Sequence, residues 1–100
     1  MEPRLYRPPY GRFSEHSYAA VGELALTPVY WSGWGMDWEP VPAERIADTA
    51  IRDLAPGAIV LLHDSARYAS RPSALPTAEA LPAILAAIRE RELELVTLPA

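Results

Sequence analysis

The chain contains no cysteine, which excludes disulfide frameworks, thiolate zinc sites and cysteine nucleophiles together. Any metal site must therefore use histidine and carboxylates. The two histidines, His16 and His63, are separated by a predicted strand and helix, so no short-range His-x-x-x-His pair of metal-ligand spacing exists. Basic residues are few and scattered, nine against thirteen acidic for a net charge of −4, and this leaves no concentrated positive face for nucleic acid. No DNA or RNA partner is expected. Purely apolar runs such as Ala58 to Leu62 are far short of the ~20 residues of a membrane helix, so no membrane span is predicted. The segment Met1 to Pro9 has no apolar stretch of signal-peptide type and is broken by prolines, so the chain as written is expected to be cytoplasmic.

What is present is a chain of 100 residues, half of them hydrophobic, enough for one small domain with a single core. Eleven prolines and five glycines punctuate it into short apolar runs and longer helical patterns, the rhythm of βαβ units. Leu5 to Arg7 ends a first strand, and Pro8-Pro9-Tyr10-Gly11 is loop because the double proline removes donors and fixes φ. Ser14 is placed to cap a helix through about Gly22. Leu24 to Trp31 is rich in strand formers, with Pro28 marking a bulge or an edge. Pro42 suits the first position of a second helix, on which Ile46, Ala50 and Leu54 recur on one face. Ala58 to His63 reads as a strand buried on both faces, and Asp64 to Pro76 as a long polar loop. Leu81, Ile84, Leu85 and Ile88 give a third helix with Pro82 near its first turn, and Leu93 to Leu98 a final strand. The fold class is therefore α/β, with parallel strands and right-handed crossovers.

Three segments that could carry chemistry each follow a predicted strand, where ligand sites of parallel α/β folds collect. Arg7-Pro8-Pro9-Tyr10-Gly11 couples a cation to a rigid loop whose backbone N–H groups could meet an oxyanion, or is simply a proline-stiffened turn. Tyr30 to Trp38 gathers Tyr30, Trp31, Trp34 and Trp38 with two glycines; the rings could stack on sugars, with Asp37 orienting a neighbour, or could cap the core. Leu61-Leu62-His63-Asp64 places Leu61 and His63 on one face of a strand, an apolar wall beside an imidazole, although a histidine satisfied by backbone is the commoner case. His16 reads as a solvated helix residue. A serine triad from Ser32 or Ser65 lacks the Gly-x-Ser-x-Gly elbow.

In this order the three segments resemble the later motifs of the polysaccharide deacetylases, which include chitin, chitooligosaccharide and peptidoglycan deacetylases. Arg7-Pro8-Pro9-Tyr10-Gly11 resembles an Arg-x-Pro-aromatic-Gly motif, Asp37-Trp38 the end of an Asp-x-x-Asp-Trp motif, and Leu61-Leu62-His63 a terminal Leu-x-His motif. The resemblance implies about half of a distorted (β/α) barrel, here its C-terminal portion over residues 1–100. It also implies acetylated polysaccharide or oligosaccharide as substrate, hydrolysis of N- or O-acetyl groups, and a divalent metal, zinc or similar. Relatives are often in the cell envelope or secreted. By resemblance, His63 protonates the leaving amine and Asp37 orients it. The N–H of Tyr10 helps hold the oxyanion, Arg7 holds the base carboxylate, and Trp38 with Leu61 shapes the acetyl pocket.

The departures are equally specific. The family's base aspartate, its metal aspartate and its His-x-x-x-His ligands cannot be placed in this sequence, so tight metal binding and hydrolysis by this chain alone are not expected. Trp34 stands where the family has the first acid of its fourth motif, and Glu92 stands where a helix-ending glycine is expected. The expected protein is thus a deacetylase fragment, from a truncated gene or a misplaced start. The alternatives are a carbohydrate-binding fragment using the Tyr30/Trp31/Trp34/Trp38 face, and a half-barrel that pairs with a separate N-terminal half. Bare strand edges would favour self-association.

Overall fold

The Ser14 hydroxyl accepts the Ser17 N–H while the Ser17 hydroxyl accepts the Ser14 N–H, a reciprocal cap that starts the first helix where the sequence places it. The computed structural model describes residues 2–98, which divide into two units, one of residues up to Tyr30 with 97–98 and one of Trp31–Val96. The structure is mixed α/β. Its sheets are two parallel pairs, so the expected parallel order holds.

The first unit contains β1 (Leu5–Tyr6), a 3-10 turn (Pro9–Gly11), α1 (Glu15–Glu23) and β2 (Thr27–Pro28). Thr27 N–H donates to Arg4 O and Val29 N–H to Tyr6 O. Donors alternate sides along a strand, so the one Pro28 lacks would have pointed away from β1. The strand expected over Leu24 to Trp31 shrinks to these two residues because Leu24 and Ala25 close α1, with Ala25 at φ +55 and Leu26 N–H on Val21 O. Phe13 gathers Tyr6, Tyr18 and Tyr30 around its ring at centroid distances of 5.6–6.0 Å.

The second unit contains β3 (Gly33–Trp34), α2 (Ala43–Arg52), β4 (Val60–Leu61) and α3 (Leu75–Glu90). Pro42 precedes α2 as its cap instead of opening it. The core is the α2–α3 seam, where Ile46, Ala47 and Ala50 meet Ala80, Ile84 and Ile88. The alanines let the helices approach closely, and the Arg91 guanidinium donates to the carbonyl of Ile51 in the last turn of α2 and to that of Leu54 just beyond it. The single core expected of the whole chain therefore lies in this unit.

Four expectations need correction here. Gly33–Trp34 is strand, not loop: it pairs with Val60–Leu61 in parallel register. Both glycines of this stretch sit hard against neighbours, since a Cβ on Gly33 would lie 2.8 Å from Asp53 Cβ and one on Gly35 2.8 Å from Ile46 and Leu62 side-chain carbons. The apolar run 58–63 is not buried on both faces: Val60 and Leu62 pack on the core, and residues 58–62 are half-buried. The third helix begins at Leu75, so Pro82 falls in its interior and Leu81 is exposed; Pro76 at its second position is tolerated because N–H groups of the first turn have no helical partner in any case. The final strand is not formed. A strand needs a partner ladder, and Leu95 and Val96 are exposed, with no strand assigned over 93–98.

Glu92 occupies the left-handed conformation usually given to glycine, with φ +55. Its N–H donates to Arg89 O and that of Leu93 to Ile88 O, the bond pair of a Schellman stop. The position expected to want glycine does have glycine's backbone.

Candidate active site

Asp37 is fully buried, which is costly for a carboxylate unless every lone pair is occupied. Here the neighbours supply donors. Oδ2 accepts the His63 backbone N–H at 2.6 Å and the Thr77 hydroxyl at 2.9 Å, and Oδ1 faces His63 Nδ1 at 2.7 Å. The Arg71 guanidinium lies 3.9 Å from Oδ2. Burial pushes the Asp37 carboxyl up, but the backbone N–H and ring of His63 and the Thr77 hydroxyl outweigh it, and the net direction is downward from the ordinary carboxylate value.

An ionised carboxylate can only accept, so the His63 Nδ1 must carry the proton it shares with Asp37. That fixes the tautomer of the neutral ring and leaves Nε2 as the nitrogen available to a ligand. The His63 side chain is 43% exposed while that of Asp37 is 1%: one partner is locked in the protein and the other reaches out of it. This is the arrangement of a positioned acid or base. The backbone explains how β4 delivers the ring. With Val60 and Leu62 turned to the core, alternation sends Leu61 and His63 to the other face.

Trp38 stands edge-on to His63, ring centroids 6.1 Å apart at 81°, and against Trp34 at 4.9 Å and 61°. The second unit thus assembles Asp37, Trp38 and His63, with Leu61 two residues before His63 on the same strand face. Trp34, where an acid was expected, packs as an aromatic. Of the aromatic residues offered for stacking, Tyr30 belongs to the first unit and packs on Phe13, and in the second Trp34 and Trp38 meet edge to face.

Arg7 and Tyr10 lie in the first unit. The Arg7 guanidinium donates to Val29 O at 3.2 Å and Tyr30 O at 3.4 Å. Tyr10 adopts φ +56 and its side chain projects into solvent. The turn's hydrogen bonds run from Gly11 N–H to Pro8 O and Arg12 N–H to Pro9 O, neither of which takes the Tyr10 N–H.

Two residues of the site escape sequence analysis. Arg71 and Thr77 are buried. Arg71 donates to Thr77 Oγ1 at 2.6 Å, to His63 O at 3.2 Å and to Ser65 O at 3.3 Å. Arg71 sits in a stretch that reads as polar loop, and no periodicity marks a buried arginine; the one available signal is an Arg and a Thr six residues apart just after His63-Asp64.

No protein-family model matches the chain. Individual proteins do. The chitooligosaccharide deacetylase of Azorhizobium caulinodans is 32% identical over 96% of this chain and 49% of its own length. The crystal structure of a peptidoglycan N-acetylglucosamine deacetylase superposes with a TM-score of 0.80 at 28% identity, over 97% of this chain and 44% of that one. A family 4 carbohydrate esterase from Streptomyces lividans gives 0.71 at 25%, over 91% and 43%. The solved structures to which the chain is similar are thus a peptidoglycan deacetylase and a family 4 carbohydrate esterase. More narrowly, the chain is a partial match to the polysaccharide deacetylase family, and it spans about half the length of the curated relatives it matches.

The divalent metal of that family does not fit the side chains seen here. Among the described residues no three His, Cys, Asp or Glu side chains cluster as a ligand set. The one imidazole–carboxylate pair has its Nδ1 and both carboxylate oxygens already engaged with each other or with Thr77 and the backbone. Among those same residues, no helix is long and apolar enough to cross a membrane.

Proposed function

We propose that this chain supplies the acid side of a polysaccharide deacetylase pocket, within the C-terminal portion of a distorted (β/α) barrel, and that His63 is the proton donor. One observation carries this: a half-exposed imidazole whose Nδ1 is held by a fully buried carboxylate. In hydrolysis of an N-acetyl group, the oxygen of water bonds to the acetyl carbon and the C–N bond breaks. The attacking water gives up one proton to a base, and the leaving nitrogen takes one from Nε2 of His63 in its imidazolium form, which becomes the neutral ring protonated at Nδ1; the products are a free amine and acetic acid. Asp37 holds the ring in the orientation that aims Nε2 outward and offsets the charge of imidazolium. Trp38 and Leu61 flank the imidazole as apolar walls suited to an acetyl methyl. The Tyr10 N–H is our candidate oxyanion donor, and Arg7 our candidate holder of the base carboxylate. No described side chain is assigned as that base, and no step here runs through metal.

The substrate class follows from the relatives' names, chitooligosaccharide and peptidoglycan N-acetylglucosamine deacetylases. An acetylated aminosugar polymer or oligomer is therefore proposed. The 100 residues alone are expected to release no acetate, and their short sheets, each of two strands, are expected to favour self-association through strand edges. The test is a chimera in which this chain replaces the matched segment of the Azorhizobium caulinodans enzyme, assayed for acetate release from N-acetylglucosamine oligomers. Activity that falls by about 10²–10⁴-fold in His63→Ala is expected for loss of a general acid. A folded chimera that releases acetate equally well with and without His63 would contradict the assignment.

A further inference from the structure

We infer that Arg71 and Thr77 are positioning residues that set the direction of the hydrogen bonds reaching Asp37 and thereby hold His63 in a single tautomer. The inference deepens the proposed acid role of His63 and rests on it for its functional meaning, though not for its geometry.

The chemistry of the two side chains forces the direction. Arginine has donors only, so in the 2.6 Å contact between Arg71 Nη1 and Thr77 Oγ1 the threonine oxygen must accept. Its single hydrogen is then free for one acceptor, and Asp37 Oδ2 stands 2.9 Å away. Without the arginine the hydroxyl could rotate to a backbone carbonyl of its own helix, a common habit of threonine. With it, the hydrogen is committed to Asp37. Oδ2 then holds two donors, Thr77 O–H and His63 N–H, and Oδ1 is left for the imidazole. Donation runs from Arg71 through Thr77 to Asp37, where it meets the donors of His63 arriving from the other side.

The same guanidinium steadies the other end. Nη2 donates to the carbonyls of His63 and Ser65, so Arg71 grips the backbone that carries the ring as well as the hydroxyl that fixes the carboxylate. An arginine used only for packing would keep its charge in water. This one is buried, and its Nε has no partner among the described residues. That cost is consistent with a role the remaining nitrogens alone can perform. Its charge, 3.9 Å from Oδ2, also favours the ionised carboxylate that the tautomer argument requires. The charged or titratable groups shown bonded or paired within this cluster are Asp37, His63 and Arg71.

The experiment is ¹⁵N NMR of the His63 imidazole in the whole 100-residue chain, with ¹³C detection of the Asp37 carboxyl, and needs no substrate. Wild type should show one neutral tautomer, Nδ1 protonated. Thr77→Val, equal in shape but without the hydroxyl, should lose the single-tautomer pattern and shift the Asp37 titration upward, and Thr77→Ser should restore both. Arg71→Gln should mix the tautomers with Thr77 still in place. If Arg71→Gln fails to fold, the Val and Ser pair at Thr77 decides. Folded Thr77→Val with wild-type ¹⁵N shifts and an unmoved Asp37 titration would overturn the inference. An inactive chimera whose His63 retains this tautomer dependence would count against the acid role alone, leaving the positioning role standing.

Discussion

Each of the two units of the chain is stabilised within itself by different physics. Residues 31–96 bury a continuous seam of Ile and Ala between α2 and α3 and a closed polar cluster around Asp37. Residues 2–30 bury little beyond Val21 and Pro8; they rely on a two-residue parallel ladder, the Phe13 ring cluster and the Ser14 cap. The contrast teaches where rigidity is placed. The residues proposed to move a proton stand on the unit with a packed core, where a side chain can be held to tenths of an ångström. The proposed oxyanion donor, Tyr10, stands on a turn with left-handed backbone at both Tyr10 and Gly11.

The comparison breaks most sharply at Asp37. Asp37→Ala removes the acceptor for His63 and Thr77 and leaves the Arg71 charge buried and uncompensated, an expected loss of about 3–5 kcal/mol, read as a fall in urea midpoint. A variant that melts like wild type would show the cluster to be ornamental to the fold. Next comes Gly35→Ala. Its Cβ would lie 2.8 Å from Ile46 and Leu62 carbons, and such overpacking costs about 1–3 kcal/mol; Gly22→Ala on α1, where nothing lies within 4 Å, should instead be neutral or stabilising by thermal melt. Ser14→Ala in the first unit should cost about 1 kcal/mol through the lost cap. Glu92→Gly should stabilise by about 1 kcal/mol, since it relieves a side chain from left-handed backbone.

The smallest and most diagnostic effect is with pH. Because the folded Asp37 carboxyl is held below its unfolded value, its contribution to stability is fully present above the ordinary carboxylate range and is lost as pH falls through the lowered folded value. Denaturation midpoints followed from about pH 6 to about pH 2 should fall less steeply in Asp37→Asn than in wild type.

Sequence patterning revealed α1 almost to the residue and the start of α2, because the Ser14 cap and the Pro42 boundary act locally, whereas Leu54, read on the face of α2, lies beyond its end at Arg52. It also singled out Asp37, Trp38 and His63, whose side chains the structure brings together, and Leu61 on the same strand face as His63, since strand alternation and motif order survive without coordinates. The start of α3 was hidden because Pro76 reads as the end of a polar loop and Pro82 as a first-turn residue, yet Pro76 sits in the first turn and Pro82 is tolerated within the helix. Leu93 to Leu98 has strand composition, but composition cannot supply a partner ladder. Arg71 and Thr77 were invisible for a related reason: their role comes from a contact 40 residues long, between Asp37 and Thr77, and nothing local announces it.

One carboxylate, Asp37, fixes one imidazole, His63, so that Nε2 faces outward. The most direct measurement is the ¹⁵N spectrum of His63 in the wild-type chain near neutral pH. The structure predicts a protonated, hydrogen-bonded Nδ1 and an Nε2 that bears a lone pair in the neutral ring. A ring protonated at Nε2 when neutral, or one averaging freely between tautomers, would contradict it.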